Sequence, residues 1–391
     1  MSSHTLKMVK NIGWKSFKEN PERFRAHART IAPWYLHNRI RSLVLPIEQQ
    51  IWGKQDGRSQ NPRFITIKPT FRCNLRCSFC RYVANGQVFG KADYFREDEW
   101  IKLVDEVAPY KPYFAITGGE PLMFPGIGAL LKRMQHHKLH VAMVTNGTLL
   151  ERKAEELMES PPASLQVSID GPKDVHDKMR MVDGTFEKAY RGLQKLHELK
   201  QKMGSNKPAI AINSVITGDN YRNMPRMVEV AQELGADVLQ FQHFWFMTPG
   251  MVDSHNHQWG DCMPIDPEEM GTTDTHGVDA DELFSIMQRV ERDAPLPVVF
   301  YPELNREEVD IYYNSPETLI RPRTPGCAWL QTAIFPNGDV SPCFNHVMGN
   351  IRDTPFMEIW NNQKFREHRM RLAEHGALPI CARCCAYHRY D

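Results

Sequence analysis

Short apolar runs alternate with longer amphipathic segments over residues 62–245. The runs occupy residues 64–68, 114–117, 141–145, 165–169, 210–216 and 238–241. Segments with helical spacing lie between them, for example over 98–107, 186–200 and 225–234. This alternation predicts right-handed βαβ units and a parallel sheet. Six units are fewer than an eight-fold barrel needs, so the pattern favours a partial barrel or an open sheet.

Residues 1–61 form a separate region with a basic composition and a helical pattern. Lys and Arg occur eleven times in residues 1–60, against four Asp and Glu. Apolar residues recur at helical spacing at Leu36, Ile40, Leu43, Val44, Ile47 and Ile51. This pattern predicts a helix packed on the main domain. The alternative is a peripheral membrane contact through residues 34–52, where aromatic and basic residues occur together.

The remainder of the chain divides into two further segments. Residues 246–325 interrupt the alternation of strands and helices, which predicts a connector or insert. Residues 326–391 contain five cysteines and predict a small C-terminal domain. The expected boundaries are therefore 1–61, 62–245, 246–325 and 326–391.

Composition indicates a folded protein with a sizeable core. Of the 391 residues, 41% are hydrophobic and 24% are charged. Lys plus Arg (48) nearly balances Asp plus Glu (47), so we expect no nucleic acid partner. The N-terminus lacks the apolar stretch of a signal peptide, and no apolar run of about 18 residues occurs. These features predict a cytoplasmic protein.

The nine cysteines are clustered, and their number is odd. An odd count without an export signal argues for reduced thiols instead of a disulfide framework. Cys262 stands alone and is interpreted as an ordinary thiol. The other eight fall into two groups, which indicates metal binding.

The first group, Cys73, Cys77 and Cys80, directly follows the first predicted strand. It therefore lies on a loop at the carboxyl end of the sheet, where α/β folds place their active sites. Three thiolates can hold three corners of a [4Fe–4S] cube and leave the fourth iron open. A zinc site normally takes four protein ligands, and the first histidine after these cysteines in the sequence is His136.

The spacing Cys-x3-Cys-x2-Cys, with Phe79 before the last cysteine, resembles the motif of the radical S-adenosylmethionine (SAM) superfamily. The resemblance implies that the open iron binds the methionine part of SAM. An electron from the cluster then yields a 5′-deoxyadenosyl radical, which abstracts a substrate hydrogen.

A second motif, Gly118-Gly119-Glu120-Pro121, follows the second strand. Two glycines permit a tight turn and a close ligand approach, and Glu120 offers an acceptor for an ammonium group. The run resembles the Gly-Gly-Glu-Pro of radical SAM proteins, which implies a contact with the methionine amino group. The turn over residues 145–147 resembles the Thr-Asn-Gly of the same family.

Polar residues also mark the next strands. Ser168 and Asp170 end the fourth strand and face the same way, so both are candidates to bind the SAM ribose. A simple turn cap is the alternative, because Asp-Gly-Pro often ends a strand. Asn213 on the fifth strand, with Gln240 or Gln242 on the sixth, is a further candidate; a polar core position explains these residues equally well.

The C-terminal cysteines form a second candidate metal site. A turn at residues 336–338 separates two expected strands between the first two of these thiols. The pattern resembles the SPASM domain, which carries auxiliary [4Fe–4S] clusters. The resemblance implies one auxiliary cluster, with Cys385 as an alternative fourth ligand and a zinc site as the alternative metal. The expected ligands are Cys327, Cys343, Cys381 and Cys384.

Together these features predict a (β/α)6 partial TIM barrel with a helical N-terminal extension and a small Cys-rich C-terminal SPASM-like domain. The predicted activity is hydrogen abstraction from a small or lipid-linked molecule, ahead of a peptide. The expected electron donor is a reductant such as flavodoxin or ferredoxin. A non-catalytic Fe–S or zinc module is the alternative, but such a module does not need the 118–121 motif at its place after the second strand.

Overall fold

One ten-stranded sheet runs through the residues that this computed structural model describes, which are 56–84, 86, 94–267, 277–343 and 346–389. The helix predicted over residues 34–52, and any membrane contact through it, lie outside these residues. In spatial order the strands run β10-β9-β8-β1-β2-β3-β4-β5-β6-β7. Their bounds are β1 Phe64–Ile67, β2 Tyr113–Ile116, β3 His140–Thr145, β4 Ser164–Ser168, β5 Ala209–Ile216, β6 Val238–His243, β7 Val298–Tyr301, β8 Gln331–Ile334, β9 Asp339–Ser341 and β10 Gly349–Asn350.

Helices connect the strands, as the alternating pattern predicts. Those of the first half are α1 Arg81–Ala84, α2 Glu97–Val107, α3 Ile127–His136, α4 Leu150–Glu159, α5 Lys173–Arg180, α6 Thr185–Lys202 and α7 Met224–Glu233. Those of the second half are α8 Pro249–Trp259, α9 Ala280–Asp293, α10 Arg306–Asn314, α11 Cys327–Leu330, α12 Phe356–Trp360, α13 Gln363–His375 and α14 Cys385–His388. No helix in the described ranges is long and apolar enough to cross a bilayer.

The predicted parallel sheet and partial barrel are confirmed, and the six predicted strands are β1 to β6 with ends shifted by one or two residues. Ile65 and Ile67 on β1 are fully buried and pack in the main core with Trp100 of α2. Because side chains alternate along a strand, the residues between them point to the inner face of the sheet. The inner face therefore carries the residues available to a ligand.

Two further parallel strands extend the sheet beyond the predicted six. Residues 246–325 contribute β7, which pairs with β6. The cysteine-rich segment contributes β8, which pairs with β1 from Phe64 opposite Gln331 to Ile67 opposite Ile334. The C-terminal segment is thus joined to the barrel by a continuous ladder of backbone hydrogen bonds.

The two expected strands around residues 336–338 are β8 and β9, which are antiparallel. The amide of Gly338 donates to the carbonyl of Phe335 at 2.9 Å and closes the turn. Gly338 has φ +91°, a value that favours glycine. The amide of Phe95 donates to Pro336 at 2.6 Å, so this hairpin also contacts the segment that precedes α2.

A buried arginine fastens the last cysteines to the connector. Arg383 is fully buried, and burial lowers its pKa to about 10. Its guanidinium donates to the carbonyls of Ile311 and Tyr312 in the last turn of α10, and to those of Thr318 and Ser315 beyond it. Carbonyls at a helix C-terminus have no partner within the helix, so the arginine satisfies them.

Replacing Arg383 with Met is expected to destabilise the folded protein by about 3 kcal/mol or more, because several buried carbonyls lose their donors. The midpoint of urea unfolding of the reconstituted protein, followed by circular dichroism, measures the change. Arg292→Met is the control, since Arg292 is 71% exposed and pairs only with its neighbour Asp293; we expect a change of less than about 0.5 kcal/mol. Equal midpoints for the two variants would contradict the assigned role.

Candidate functional site

Four loops meet at the carboxyl ends of strands β1 to β4. The loop after β1, here called the cysteine loop, covers residues 69–80. The loop after β2 contains the 118–121 motif, the loop after β3 contains residues 145–148, and the segment after β4 leads to α5. The contacts among them decide how the candidate residues are held.

The two glycines of the second loop allow it to lie directly against the cysteine loop. The amide of Gly119 donates to the carbonyl of Thr70, and that of Glu120 donates to Arg72, both at 2.9 Å. A Cβ atom on Gly119 would lie 2.3 Å from the carbonyl oxygens of Phe71 and Arg72. Any larger residue would push the two loops apart, so the glycines have a packing role in addition to the predicted ligand approach.

The Glu120 carboxylate joins the second loop to the third. Its side chain is fully buried, and burial raises the pKa of this carboxyl. Oε1 accepts from the hydroxyl of Thr145 at 2.7 Å and from the amide of Leu122 at 3.0 Å, while Oε2 accepts from the amide of Asn146 at 2.8 Å. Pro121, also buried, begins the short turn that presents Leu122. The Thr-Asn-Gly turn and the Gly-Gly-Glu-Pro run thus form one hydrogen-bonded unit.

Asn146 continues this unit into the cysteine loop. Its Nδ2 donates to Oδ1 of Asn74 at 3.0 Å and lies 3.9 Å from the sulfur of Cys73. Its Oδ1 accepts from the amide and the hydroxyl of Thr148. The third loop therefore fixes the position of the first cysteine.

An ion pair that the sequence did not predict holds the second cysteine. Arg180, at the end of α5, lies 2.6 Å from the Asp170 carboxylate and donates to the sulfur of Cys77 at 3.6 Å. Burial alone would lower the pKa of Arg180, but Asp170 and Cys77 outweigh burial and raise it. The carbonyls of Met179 and Arg180 also accept from the amides of Ser78 and Arg76 in the cysteine loop.

The predicted ribose and cavity residues form a row across three strands. Ser168 pairs with Asn213, which pairs with Gln240, so the three lie side by side at one level. Oδ1 of Asn213 is buried and has no hydrogen-bond partner in the described part of the chain. A buried acceptor without a donor is costly, so this position fits a ligand that brings hydroxyl or amino groups.

The first cysteines fit an iron–sulfur cluster by their surroundings. Burial raises the pKa of Cys73 to about 11 and raises that of Cys77 as well. Buried thiols become thiolates when a metal supplies the compensating positive charge. An iron–sulfur cluster with a cationic [4Fe–4S] core and one open iron is consistent with this set of donors.

Four C-terminal cysteines also come together. Burial raises the pKa of each thiol, and Cys381 is further raised by Cys343, Cys384 and Cys327 around it. Cys381 belongs to one apolar cluster, and Cys327, Cys343 and Cys384 all pack against it, which is consistent with the ligands of one iron–sulfur cluster.

Cys385 lies beside Cys384, but the neighbouring thiols that act on Cys343 and Cys381 include Cys384 and not Cys385. The carbonyl of Cys385 accepts from the Tyr301 hydroxyl at 2.6 Å, and the positive charge of Arg389 lowers the pKa that burial raises for its thiol. Besides burial, Cys385 and then Cys327 raise the pKa of the Cys384 thiol. The geometry thus favours Cys384 over Cys385 as the fourth member of the set.

Two family models match the chain. The Radical SAM superfamily model matches residues 67–239, and the model of the SPASM iron-sulfur cluster-binding domain matches residues 327–385. An AdoMet-dependent heme synthase of Methanosarcina barkeri is 29% identical over 82% of this chain and 88% of its own length. Another from Oleidesulfovibrio alaskensis is 25% identical over 86% and 87%. A tungsten-containing aldehyde ferredoxin oxidoreductase cofactor-modifying protein of Pyrococcus furiosus is 20% identical over 82% and 87%.

Solved structures show the same fold. Streptococcus suis SuiB bound to its precursor peptide SuiA has a TM-score of 0.57 and 16% identity, covering 79% of this chain and 67% of that chain. The structure of anSMEcpe with bound AdoMet has a TM-score of 0.53 and 21% identity, covering 78% and 79%.

The chain is a member of the radical SAM superfamily of enzymes. Its C-terminal part is a SPASM domain, so the protein combines a SAM-binding [4Fe–4S] cluster and SAM with an auxiliary iron–sulfur cluster. The family and cofactors predicted from the cysteine motifs are therefore confirmed.

Removing either partner of the Asp170–Arg180 pair is expected to loosen the cysteine loop, because the remaining charge is buried without its partner. In Asp170→Asn and Arg180→Met we expect a chelator to release iron from the first cluster at least about tenfold faster, with the auxiliary iron released at the wild-type rate. Lys178→Met is the control on the same helix, because Lys178 is exposed and its ion pair, with Asp219 at 3.5 Å, is exposed as well. If both variants released iron from both clusters at the wild-type rate, the result would contradict this role.

The fourth auxiliary ligand can be identified with a matched pair of variants. We expect about eight irons per chain in the reconstituted wild type and in Cys385→Ala, and about four in Cys384→Ala, because Cys384 lies with the other thiols. Iron and sulfide analysis after anaerobic reconstitution measures the difference. Loss of about four irons in Cys385→Ala but not in Cys384→Ala would contradict the assignment.

Proposed function

We propose that this enzyme abstracts hydrogen from a small carboxylate-bearing molecule, and that a porphyrin is its substrate class. One observation carries the proposal: relatives named AdoMet-dependent heme synthase match more than four fifths of the chain and of their own length. A relative named Fe-coproporphyrin III synthase is 26% identical over 75% of this chain and 72% of its length. The similarity therefore extends well beyond the core of residues 67–239 that the Radical SAM superfamily model matches.

The residues of the four loops take distinct roles in this proposal. Cys73, Cys77 and Cys80 hold the cluster that, with SAM, supplies a 5′-deoxyadenosyl radical. Gly118 and Gly119 leave room for the methionine part of SAM, with Glu120 near its amino group. Buried as it is, the carboxylate also holds the third loop in place.

The inner row of the sheet supplies the remaining contacts with SAM. Ser168 and Asn213 are proposed to hydrogen-bond the ribose or the adenine, because Asn213 presents a buried acceptor in need of a donor. Asp170 was predicted as a ribose ligand. Its carboxylate contacts Arg180, the amide of Val215 at 3.2 Å and, at 4.0 Å, Nδ1 of His176, so we propose that it acts by positioning Arg180.

The SPASM domain contributes a second redox centre. Cys327, Cys343, Cys381 and Cys384 are proposed to hold the auxiliary cluster, which offers a one-electron acceptor near the substrate. A reductant such as flavodoxin or ferredoxin is proposed to supply the electron that starts the reaction. An acceptor in this position favours net oxidation of the substrate.

Peptide modification is the second candidate function. It is supported by the fold shared with SuiB, which has been crystallised with a precursor peptide. At 16% identity that likeness concerns the fold alone, so the porphyrin proposal ranks first. A lipid-linked substrate depends on residues 34–52, which lie outside the described residues.

The reconstituted enzyme should consume iron coproporphyrin III when SAM and dithionite are present. We expect 5′-deoxyadenosine and a porphyrin product of lower mass, both measured by mass spectrometry, and neither from the Cys77→Ala variant. An unrelated cysteine-containing peptide is the control substrate and should remain unchanged.

Deoxyadenosine without any porphyrin product would overturn the substrate class and leave the radical chemistry standing. A modified peptide with unchanged porphyrin would favour the second candidate function.

A further inference from the structure

The first residue after β1 places a positive charge on the inner face of the barrel. Ile65 and Ile67 point outward into the main core, so the alternation along the strand directs the side chain of Lys68 inward. The amide of Lys68 donates to the carbonyl of Ile334 at 3.0 Å, which continues the ladder between β1 and β8. Lys68 therefore lies at the base of the cysteine loop, on the face that is available to a ligand.

Two aromatic rings lie beside the ammonium group of Lys68. Its Nζ is 4.4 Å from the centre of the Phe335 ring and 5.4 Å from the centre of the Tyr82 ring. Phe71 of the cysteine loop contacts the same two rings, with its ring centre 6.0 Å from that of Phe335 and 5.0 Å from that of Tyr82. Because Phe335 directly follows β8, the ammonium lies where the SPASM domain meets the cysteine loop.

The described residues supply no acidic partner for this ammonium. Within these residues its contacts are the two cation–π contacts, and no side chain forms a hydrogen bond or an ion pair with it. An ammonium and a carboxylate form charge-assisted hydrogen bonds, which are about twice as strong as neutral ones. Aromatic walls also exclude water and lower the local dielectric, which strengthens such a pair. Lys68 is therefore suited to a carboxylate that a ligand brings.

The direction of the side chain distinguishes between two ligands with a carboxylate, the proposed substrate and SAM. A Cβ atom on Gly118 would lie 3.4 Å from that of Lys68, so the side chain begins beside the 118–121 loop. It ends over Phe335, which follows β8. The proposed SAM contacts belong to β2 and the strands beyond it, whereas β8 pairs with the opposite edge of β1. The ammonium thus points away from the SAM contacts and toward the SPASM domain.

We propose that Lys68 binds a carboxylate of the substrate and holds the substrate where the cysteine loop meets the SPASM domain. The inference rests on the proposed function, which makes the substrate a carboxylate-bearing porphyrin. The three N–H donors of the ammonium match the acceptor oxygens of a carboxylate. A ligand without this group leaves the ammonium unpaired, so Lys68 contributes to substrate specificity.

The test measures binding directly, without turnover. Iron coproporphyrin III is titrated into the reconstituted protein in the absence of reductant, and the porphyrin absorbance gives the Kd. The wild type is compared with Lys68→Met and with the charge-conserving Lys68→Arg. Lys132→Met is the matched control, because Lys132 is exposed on α3. The tetramethyl ester of the same porphyrin, which carries no carboxylate, is the control ligand, and equilibrium dialysis gives the Kd for SAM.

We expect Lys68→Met to raise the Kd for iron coproporphyrin III about tenfold, because one charge-assisted contact is lost. The Kd for the ester should be the same in the wild type and in Lys68→Met, because the ester offers no anion to the ammonium. Lys68→Arg should bind the porphyrin more tightly than Lys68→Met. Lys132→Met should bind it as the wild type does, and the Kd for SAM should be unchanged in every variant.

Equal Kd values for the porphyrin in the wild type and in Lys68→Met would overturn this inference and leave the proposed function standing. An equal loss of affinity for the ester would also overturn it, because Lys68 would then shape the site without pairing with a carboxylate. Weaker binding of SAM with unchanged binding of the porphyrin would assign Lys68 to SAM instead. A wild type that does not bind the porphyrin would overturn the proposed substrate class together with this inference.

Iron analysis shows whether each variant is intact, and about eight irons per chain are expected. If Lys68→Met does not retain this iron, Lys68→Gln is titrated in its place. Loss of iron from both neutral variants would show that Lys68 builds the cysteine loop, which overturns its role as a substrate ligand.

Discussion

The buried ion pair between Asp170 and Arg180 connects the sheet to the first cysteine set. Asp170 follows β4 and accepts from a backbone amide of β5, so its carboxylate is fixed by the sheet. The guanidinium of Arg180, held by Asp170, donates to the sulfur of Cys77. Backbone carbonyls at the same helix end accept from amides of the cysteine loop. Two charges removed from water are stable only while both are present. The geometry of the cysteine loop therefore depends on a contact formed by the fourth βα unit.

The same principle of mutual support extends to the other loops and to the C-terminal domain. Glu120 joins the second and third loops, and Asn146 joins the third to the first. In the C-terminal domain, Arg383 lies in sequence between the auxiliary cysteines Cys381 and Cys384, and its guanidinium caps the end of α10 in the connector. Each cysteine set is thus held by a buried charged side chain with several hydrogen bonds. Such a side chain specifies one arrangement, because every alternative leaves polar groups unsatisfied.

Much of this fold could be predicted from the sequence because its signals are local. The six strands with alternating helices, the turn at Gly338 and the cysteine spacings can all be recognised within short windows. The pairing of β8 with β1 joins distant segments, and β7 is four residues long within a segment without clear periodicity. The role of Arg180 depends on Cys77, which is far away in sequence, so an arginine at the end of a helix with charges of both signs gives no local indication of it.

The pairing of β8 with β1 has a consequence for how the protein is made. β1 is synthesised early and can pair with β2 at once, but its other edge lacks its native neighbour until residues 331–334 leave the ribosome. An open strand edge is a site for wrong pairing. Throughout synthesis that edge lies beside the first cysteine loop. The ladder that joins the C-terminal domain to the barrel can therefore form only after that domain has been translated.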